Sequence, residues 1–554
     1  MTAADEKRTR QLARSTLTVM IAFGAAKFIS LGQTVVIANV FGVGREWDAF
    51  VTANSLPELI FTLIAGGALA HAFIPIFSGF LARDDTAGAW RTASHVINTV
   101  FSATLVASAL VFITAPWLVA NVVAPGFDEV GRQQTVELMR ILLLSTLIFS
   151  ISGICMGILQ SFNHFLLPAL APIMFDVGIL FGVIFLIKPF GVHGIAFGAV
   201  LGAAMHLGIQ VPGLIRFRAR WTPKMGWRDP VLWRVVRLML PRVVGLGVFS
   251  LNFLVMNNIA SRLRTGSVSA LSWGWRLMQI PQTLIGTAMG TVIFPTLAAL
   301  SEIGNETGKR NAMSGALRFI MIASIPSAIG LIFVGRPLIS LLERGAFDAS
   351  ASALVYSTLR FFALGIVVHS SLEVVARSFY ADKDTLTPLW AALGGAAINL
   401  VLSFVLSGVA GVEAMPLYHM TAERFSAFSA PFFAGNVGGL ALANTLGTTF
   451  EVGLLLFILR RRWHGANENL LARTVLKTLA ASLVMALAIV LVNSLWNSLA
   501  FVGGGLAWTI FQIALETGVG LLAFLASAAL LRLEELGTLV HLVLRRAPAA
   551  VVEG

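Results

Sequence analysis

The chain has 554 residues, of which 57% are hydrophobic and 12% charged, and its mean hydropathy is +0.84. Soluble domains carry about 25% charged residues, so this composition excludes an ordinary soluble globular protein. A single cysteine, Cys155, excludes a disulfide framework and a cysteine-based metal cluster. The net charge of +12 gathers in short loops between apolar runs, where it reads as membrane topology and not as a nucleic-acid surface.

Apolar runs of roughly 20 residues, the length that crosses a bilayer, recur from end to end and predict an all-α polytopic membrane protein of about 14 transmembrane helices. Met1–Arg14 is polar and basic, and no cleavable signal peptide is expected. The first six spans fall near Ser15–Val40, Ala49–Phe80, Ala93–Val119, Thr135–Gln160, Phe165–Leu186 and Gly194–Phe217. The next six fall near Val231–Ile259, Ser267–Leu300, Ala312–Leu342, Ala353–Phe379, Leu386–Leu406 and Phe432–Leu459. Val475–Trp496 and Gly505–Leu531 follow. The basic groups Lys7 to Arg14, Arg216 to Arg228, Lys309 with Arg310, Arg460 to Arg462 and Arg545 with Arg546 all lie on one side if the span count is even. Both termini are therefore expected on the cytoplasmic side of the membrane.

A repeat organises the chain. Phe127-Asp128 returns as Phe347-Asp348, Arg140 as Arg360, Phe73-Ile74-Pro75 as Ile293-Phe294-Pro295, and Ser30-Leu31 as Ser250-Leu251, all at one constant offset. Ser161-Phe162 is matched with Ser378-Phe379 at a slightly shorter offset. Spans one to six and seven to twelve then read as two parallel copies of a six-helix unit. The expected organisation is an N-lobe over 1–222, a C-lobe over 223–464, and a last pair of spans with a cytoplasmic tail over 465–554. The mixed stretch Gly408–Pro431 reads as a non-cytoplasmic insertion. Two related bundles of this kind are the plan of an alternating-access transporter with its site at the repeat interface.

Gly266–Ala298 holds one charge, Arg276, among apolar and small residues broken by Pro281, Gly286, Gly290 and Pro295. A fixed cation and helix breakers survive inside a bilayer mainly where they face a wet or protein-lined interior, so a bent helix lining a polar cavity is expected. The alternative is an arginine snorkelling from the helix end. Lys27, Glu58, His71, Asp176, His206, His369, Glu373 and Glu451 also fall within spans. Lys27 with Arg276 would suit an anionic phosphate or diphosphate substrate. The alternative for Lys27 is a structural ion pair or a snorkelling amine. Glu373, Asp176 and Glu451 are candidates for coupling or gating, while His206, His369 and Glu451 also read as packing residues. No GxxxxGK[ST] loop and no catalytic constellation is present, so neither an ATPase nor another enzyme is expected, and no cofactor beyond a coupling cation or the membrane potential.

The eighth span, GSVSALSWGWRLMQIPQTLIGTAMGTVIFPTLA, resembles the matching segment of the MurJ/MviN lipid II flippases of the multidrug/oligosaccharidyl-lipid/polysaccharide exporter superfamily. Val40-Phe41-Gly42 with Asp48-Ala49-Phe50, Leu56-Pro57, Ala72-Phe73-Ile74-Pro75, Ala124-Pro125-Gly126-Phe127, Pro168-Ala169-Leu170-Ala171-Pro172 and Ser378-Phe379-Tyr380 with Thr387-Pro388 carry the resemblance further. It implies fourteen spans, a cationic central cavity for the diphosphate, and a groove near the last two helices for the lipid tail. It also implies export of the undecaprenyl-diphosphate-linked peptidoglycan precursor to the outer leaflet. Membrane lipids and the cell-wall synthesis machinery are the implied partners, and no nucleic acid. Residue by residue, the family's eighth-span arginine falls on Arg276, its first-span arginine on Lys27, and its aspartate after the first span on Asp48. The resemblance implies that Lys27 and Arg276 bind the diphosphate and that Asp48 takes part in gating or in pairing a cation at the outer mouth. Other family charges fall on Gln33, Thr34, Phe61, Thr62, Gly66 and Trp275. This leaves a less cationic site. Two further readings therefore stay open: export of another lipid-linked oligosaccharide or small amphiphile, and a non-transporting scaffold for envelope synthesis.

Overall fold

The computed structural model describes residues 29–30, 32–65, 67–408, 437–463, 465, 467–498 and 505–533. All regular structure among them is helical. Eleven helices there are long and apolar enough to cross a membrane, and a twelfth appears if the pair Pro230–Leu240 and Gly245–Ser261, bent by 52°, counts as one span. The predicted first span lies mostly outside the described residues. The second is present as Arg45–Ile60, a π-helical turn at Phe61–Ala65, and Gly67–Leu81.

Contacts divide the chain into two compact units. One holds the residues up to Ser269 together with Arg344–Phe347, and the other holds Ala270–Glu343 and everything from Asp348. The helix Pro230–Ser261, the predicted seventh span, is counted with the first unit. The boundary drawn by contacts and the boundary drawn by the sequence repeat near 222 are thus different lines.

Within each unit the same frame appears. Glu129–Ser161 and Ala349–Ala381 are both 33 residues long and keep the offset of the sequence repeat at both ends. Each starts at an aspartate that follows a phenylalanine. Asp128 accepts from the Gly131 N–H at 2.9 Å, and Asp348 from the Ala351 N–H at 2.7 Å. Such caps satisfy one orphan donor of the first turn and are each worth about 1 kcal/mol. Asp85 and Asn305, at the same offset, cap Thr86–Leu118 and Glu306–Ser340 in the same way. Asn163 and Lys383 take the left-handed conformation, φ 57° and 60°, in the turns that follow Glu129–Ser161 and Ala349–Ala381.

The second span of each copy also matches. A 16-residue helix (Arg45–Ile60, Ser267–Gln282) runs into a five-residue π turn (Phe61–Ala65, Thr283–Thr287) and then a 15-residue helix ending at Leu81 or Glu302. Pro281 sits just before the second of these turns, where its missing N–H removes one bond from the α-helical ladder.

One predicted pairing is corrected. The two matched helices have equal length and corresponding caps, so their shared register places Ser161 opposite Ala381, and Ser378 is not its counterpart. After the fifth predicted span of each copy the offset grows. The next helices open at His193 and Val437, a wider separation that makes room for the stretch Gly408–Pro431. That stretch, apart from Gly408, lies outside the described residues.

Candidate functional site

Asp48 lies in the first turn of Arg45–Ile60 and is 3% exposed. Trp47 beside it is stacked between Phe41 and Phe50, with ring centroids 5.8 and 5.1 Å away. That packing holds the turn. The carboxylate accepts from the Gly266 N–H at 2.6 Å, from the Ser269 N–H at 2.7 Å and from the Ser269 hydroxyl at 2.5 Å. Asp48 therefore caps, from a distant part of the chain, the helix that begins at Ser267. A buried carboxylate is tolerable here because both oxygens receive hydrogen bonds and face the positive end of a helix. Among the described residues it pairs with no cation.

Arg276 projects from the exposed face of that helix, with Gln279 and Ile280. The opposite face is fixed by close approach: a Cβ on Gly274 would collide with the Thr358 hydroxyl. Trp275, where the resembling family carries an acid, packs edge-on against Phe362 and His369 at 5.3 Å each. The His369 Nε2 lies 3.2 Å from the Asn444 side-chain oxygen.

Glu373 is paired with Arg377, one turn on, at 3.1 Å, and the Thr287 hydroxyl reaches the same carboxylate at 3.5 Å. Sequence reasoning took Glu373 without Arg377, although the i, i+4 spacing of opposite charges was there to be read. Arg377 fits because Gly290 has no side chain; a Cβ there would collide with the guanidinium Nη1. That Nη1 is buried and has no hydrogen-bond partner among the described residues. Glu451 is half-buried beside Gly395, on a helix whose Gly447 touches the Gly395 backbone. Asp176 is half-buried on Leu166–Phe181. His206 is buried against the Ser152 hydroxyl at 2.6 Å, with Gln210 donating to the same hydroxyl at 2.7 Å. Lys27 lies outside the described residues, as does the side chain of His71.

A run of charged pairs gathers around the turn that follows Ala349–Ala381. Lys309 bonds Asp382 at 2.6 Å, and Ser301 donates to the same oxygen at 2.5 Å. In the adjoining turn Lys383 pairs with Glu302 at 2.8 Å, and the bond and charge of that carboxylate raise the Lys383 pKa. Partial burial works to raise the pKa of Asp384. The Thr387 N–H and hydroxyl, with Arg462 at 2.7 Å, outweigh it and hold the pKa below the ordinary value.

Sequence missed one more acid. Glu516 is fully buried in the last described helix and accepts from Asn493 at 3.1 Å and Gln512 at 2.8 Å. Among the described residues no group of three or more His, Cys, Asp and Glu stands ready to hold a metal ion. Asp48, Glu373, Lys309, Asp384 and Glu516 are each held by hydrogen bonds or ion pairs to neighbouring groups on a helical frame.

A family model described as lipid II flippase MurJ matches residues 37–511. The chain belongs to the MurJ family. A probable lipid II flippase MurJ of Rhizobium tropici is 28% identical over 532 residues, covering 91% of this chain and 92% of its own. One from Vibrio cholerae is 27% identical over 552 residues, covering 95% and 98%. Among solved structures, a lipid II flippase MurJ in an inward closed conformation aligns with TM-score 0.73 at 22% identity, over 94% of this chain and all of that one. An inward-facing multidrug resistance MATE family transporter of the MOP superfamily aligns with TM-score 0.63 at 14% identity, over 80% and 96%. At those identities the structures speak for the fold, which the MurJ match covers almost from end to end.

Proposed function

We propose that this chain is a flippase that carries lipid II, the undecaprenyl-diphosphate-linked peptidoglycan precursor, from the inner to the outer leaflet. The observation that supports it most is the family match across residues 37–511, which takes in both repeat copies and reaches the final pair of helices. In this reading the protein sits in the bacterial inner membrane with both termini in the cytoplasm. It alternates access between lobes built on the two copies. Arg276 binds the diphosphate together with Lys27, and Asp48 acts by fixing the start of the Arg276 helix. Glu373, Asp176 and Glu451 are the groups through which a cation or proton gradient would act, with the membrane potential as the other source of drive.

A second reading rests on Trp275. An indole packed on Phe362 and His369 at the position of a family acid makes the neighbourhood of Arg276 less charged. Another lipid-linked oligosaccharide would suit such a site.

Complementation of a bacterium depleted of its own lipid II flippase tests both. Rescue by the wild type, lost in Arg276→Ala and in Lys27→Ala at equal membrane levels, supports lipid II and the two-cation site. Rescue that survives both substitutions rejects the site and keeps the flippase. Absence of rescue by well-expressed wild type rejects lipid II and favours the second reading.

A further inference from the structure

The connection after the predicted sixth span, 218–229, looks in sequence like an ordinary basic loop. In the structure it is a fixed strap. The Ser94 hydroxyl accepts from the Thr222 N–H at 3.1 Å. The Asn98 amide donates to the carbonyls of Thr222 and Lys224 at 2.7 and 2.9 Å, and the Trp221 indole N–H donates back to Asn98 at 2.9 Å. His95 binds Asp229 at 2.8 Å, which occupies the only acid between Ile209 and Trp233. One turn of the helix Thr86–Leu118 thus holds the whole segment.

Two features of the strap point to a ligand. First, Arg218, Arg220, Lys224 and Arg228, with Arg216 at the end of the helix before them, are all exposed, and among the described residues none is in an ion pair. Trp221 and Trp227, at 61% and 56% exposure, stand among them, the mixture that settles at the boundary of a membrane. Second, a cavity of about 370 Å³ opens beneath the strap, walled mainly by Trp90, Ile97, Phe101, Cys155, Leu214 and Trp221, with Arg220 at its polar rim. That volume is within the roughly 300–1,000 Å³ of small-molecule sites. An apolar chamber with an unneutralised cationic rim is complementary to an amphiphile with an anionic head. A sugar phosphate would leave the chamber empty, and a neutral lipid would leave the cations unpaired.

We infer that the strap and the cavity under it form a binding site for an anionic phospholipid of the surrounding leaflet, with an acyl chain in the chamber and the headgroup phosphate on Arg220 and Lys224. The site lies wholly within the first unit. Its occupant is a resident lipid and not cargo. It fixes the strap, and with it the start of the helix Pro230–Ser261, against the membrane surface. Dependence of the protein on anionic lipid follows.

Native mass spectrometry of the full chain in detergent, titrated with phosphatidylglycerol or phosphatidylethanolamine, tests this. Phosphatidylglycerol should give one adduct of higher affinity than phosphatidylethanolamine. Arg220→Gln and Lys224→Gln, both at exposed positions and so harmless to folding, should each weaken it about fivefold, the effect of one basic residue near an anionic leaflet. Ile97→Trp, which fills the chamber, should weaken both lipids alike. Equal affinity for the two lipids, or an adduct unmoved by the charge substitutions, overturns the proposal. Displacement of phosphatidylglycerol by an undecaprenyl diphosphate lipid, with loss in the same variants, also overturns it by assigning the site to cargo.

Discussion

The two copies of the repeat share a frame and fill it differently. Lys309, Asp382 and Ser301 meet through hydrogen bonds of 2.6 and 2.5 Å in the second copy. Their counterparts in the first copy are Ala89, Phe162 and Leu81. There the junction is apolar: Phe162 lies 5.8 Å from Phe77, 6.2 Å from Trp90 and 4.4 Å from Phe217, stacked on the last. The pattern returns deeper in the span. Arg377 in the second copy stands over Gly290, while its counterpart Gly157 leaves room for Phe73, 3.4 Å from where a Cβ would be. Helix lengths, caps and turns were kept. What fills the contact was free to change, provided each filling satisfies itself.

The junctions give the largest predicted effects. Lys309→Ala leaves the Asp382 carboxylate without its cation at a site where the lysine is 7% exposed. Breaking such a pair should cost about 3 kcal/mol, read as a lower midpoint of unfolding in detergent. Lys309→Ala with Asp382→Phe imitates the first copy and should recover most of that loss. If the double variant is no better than the single one, the two junctions are not interchangeable fillings of one frame. Phe162→Ala should cost about 2 kcal/mol, less than a fully buried phenylalanine because this one is half-buried. Next in size is Gly290→Ala, whose methyl group would displace the Arg377 guanidinium from Glu373. It should cost about 1 kcal/mol through overpacking and lower transport. Gly157→Ala should be nearly neutral in both assays, since its Cβ meets Phe73 at ordinary contact distance.

The frame was legible in sequence because its signals are local. Apolar runs marked the spans, and Phe-Asp before Glu129–Ser161 and before Ala349–Ala381 marked the repeat; the cap each aspartate makes has its partner within the next turn. The prolines of the eighth span announced a disturbed helix. Phe61–Ala65 carries a matching π turn, and nothing in its own five residues marks it. The site was less legible because its partners are distant in the chain. Asp48 was expected to gate or to meet a cation, yet its bonds go to the start of a helix in the other copy of the sequence repeat, a contact no spacing rule supplies. The strap at 218–229 read as topology alone, since Ser94 and Asn98 lie far upstream of it. Arg377 is the exception: its pairing with Glu373 is local and could have been found.

The smallest effect separates two caps by chemistry and not by packing. Asp348 and Asn305 both cap helices of the second copy, but only the first can titrate. The Ala351 N–H and the Ser350 hydroxyl hold the Asp348 pKa below its ordinary value of 3.8, against a slight opposing effect of desolvation. A lowered carboxylate pKa contributes stability that is complete above the unfolded value and disappears as pH falls through the folded one. Asp348→Ala should therefore cost about 1 kcal/mol near neutrality, as a lost cap does. The gap from wild type should close as pH drops below 3.8. Asn305→Ala should cost a similar amount with a gap that does not depend on pH, because an amide cap neither gains nor loses a proton. Unfolding midpoints of the two variants, followed from pH 6 downward, should run together and then part. If they stay together, the Asp348 carboxylate does not act as a charged cap.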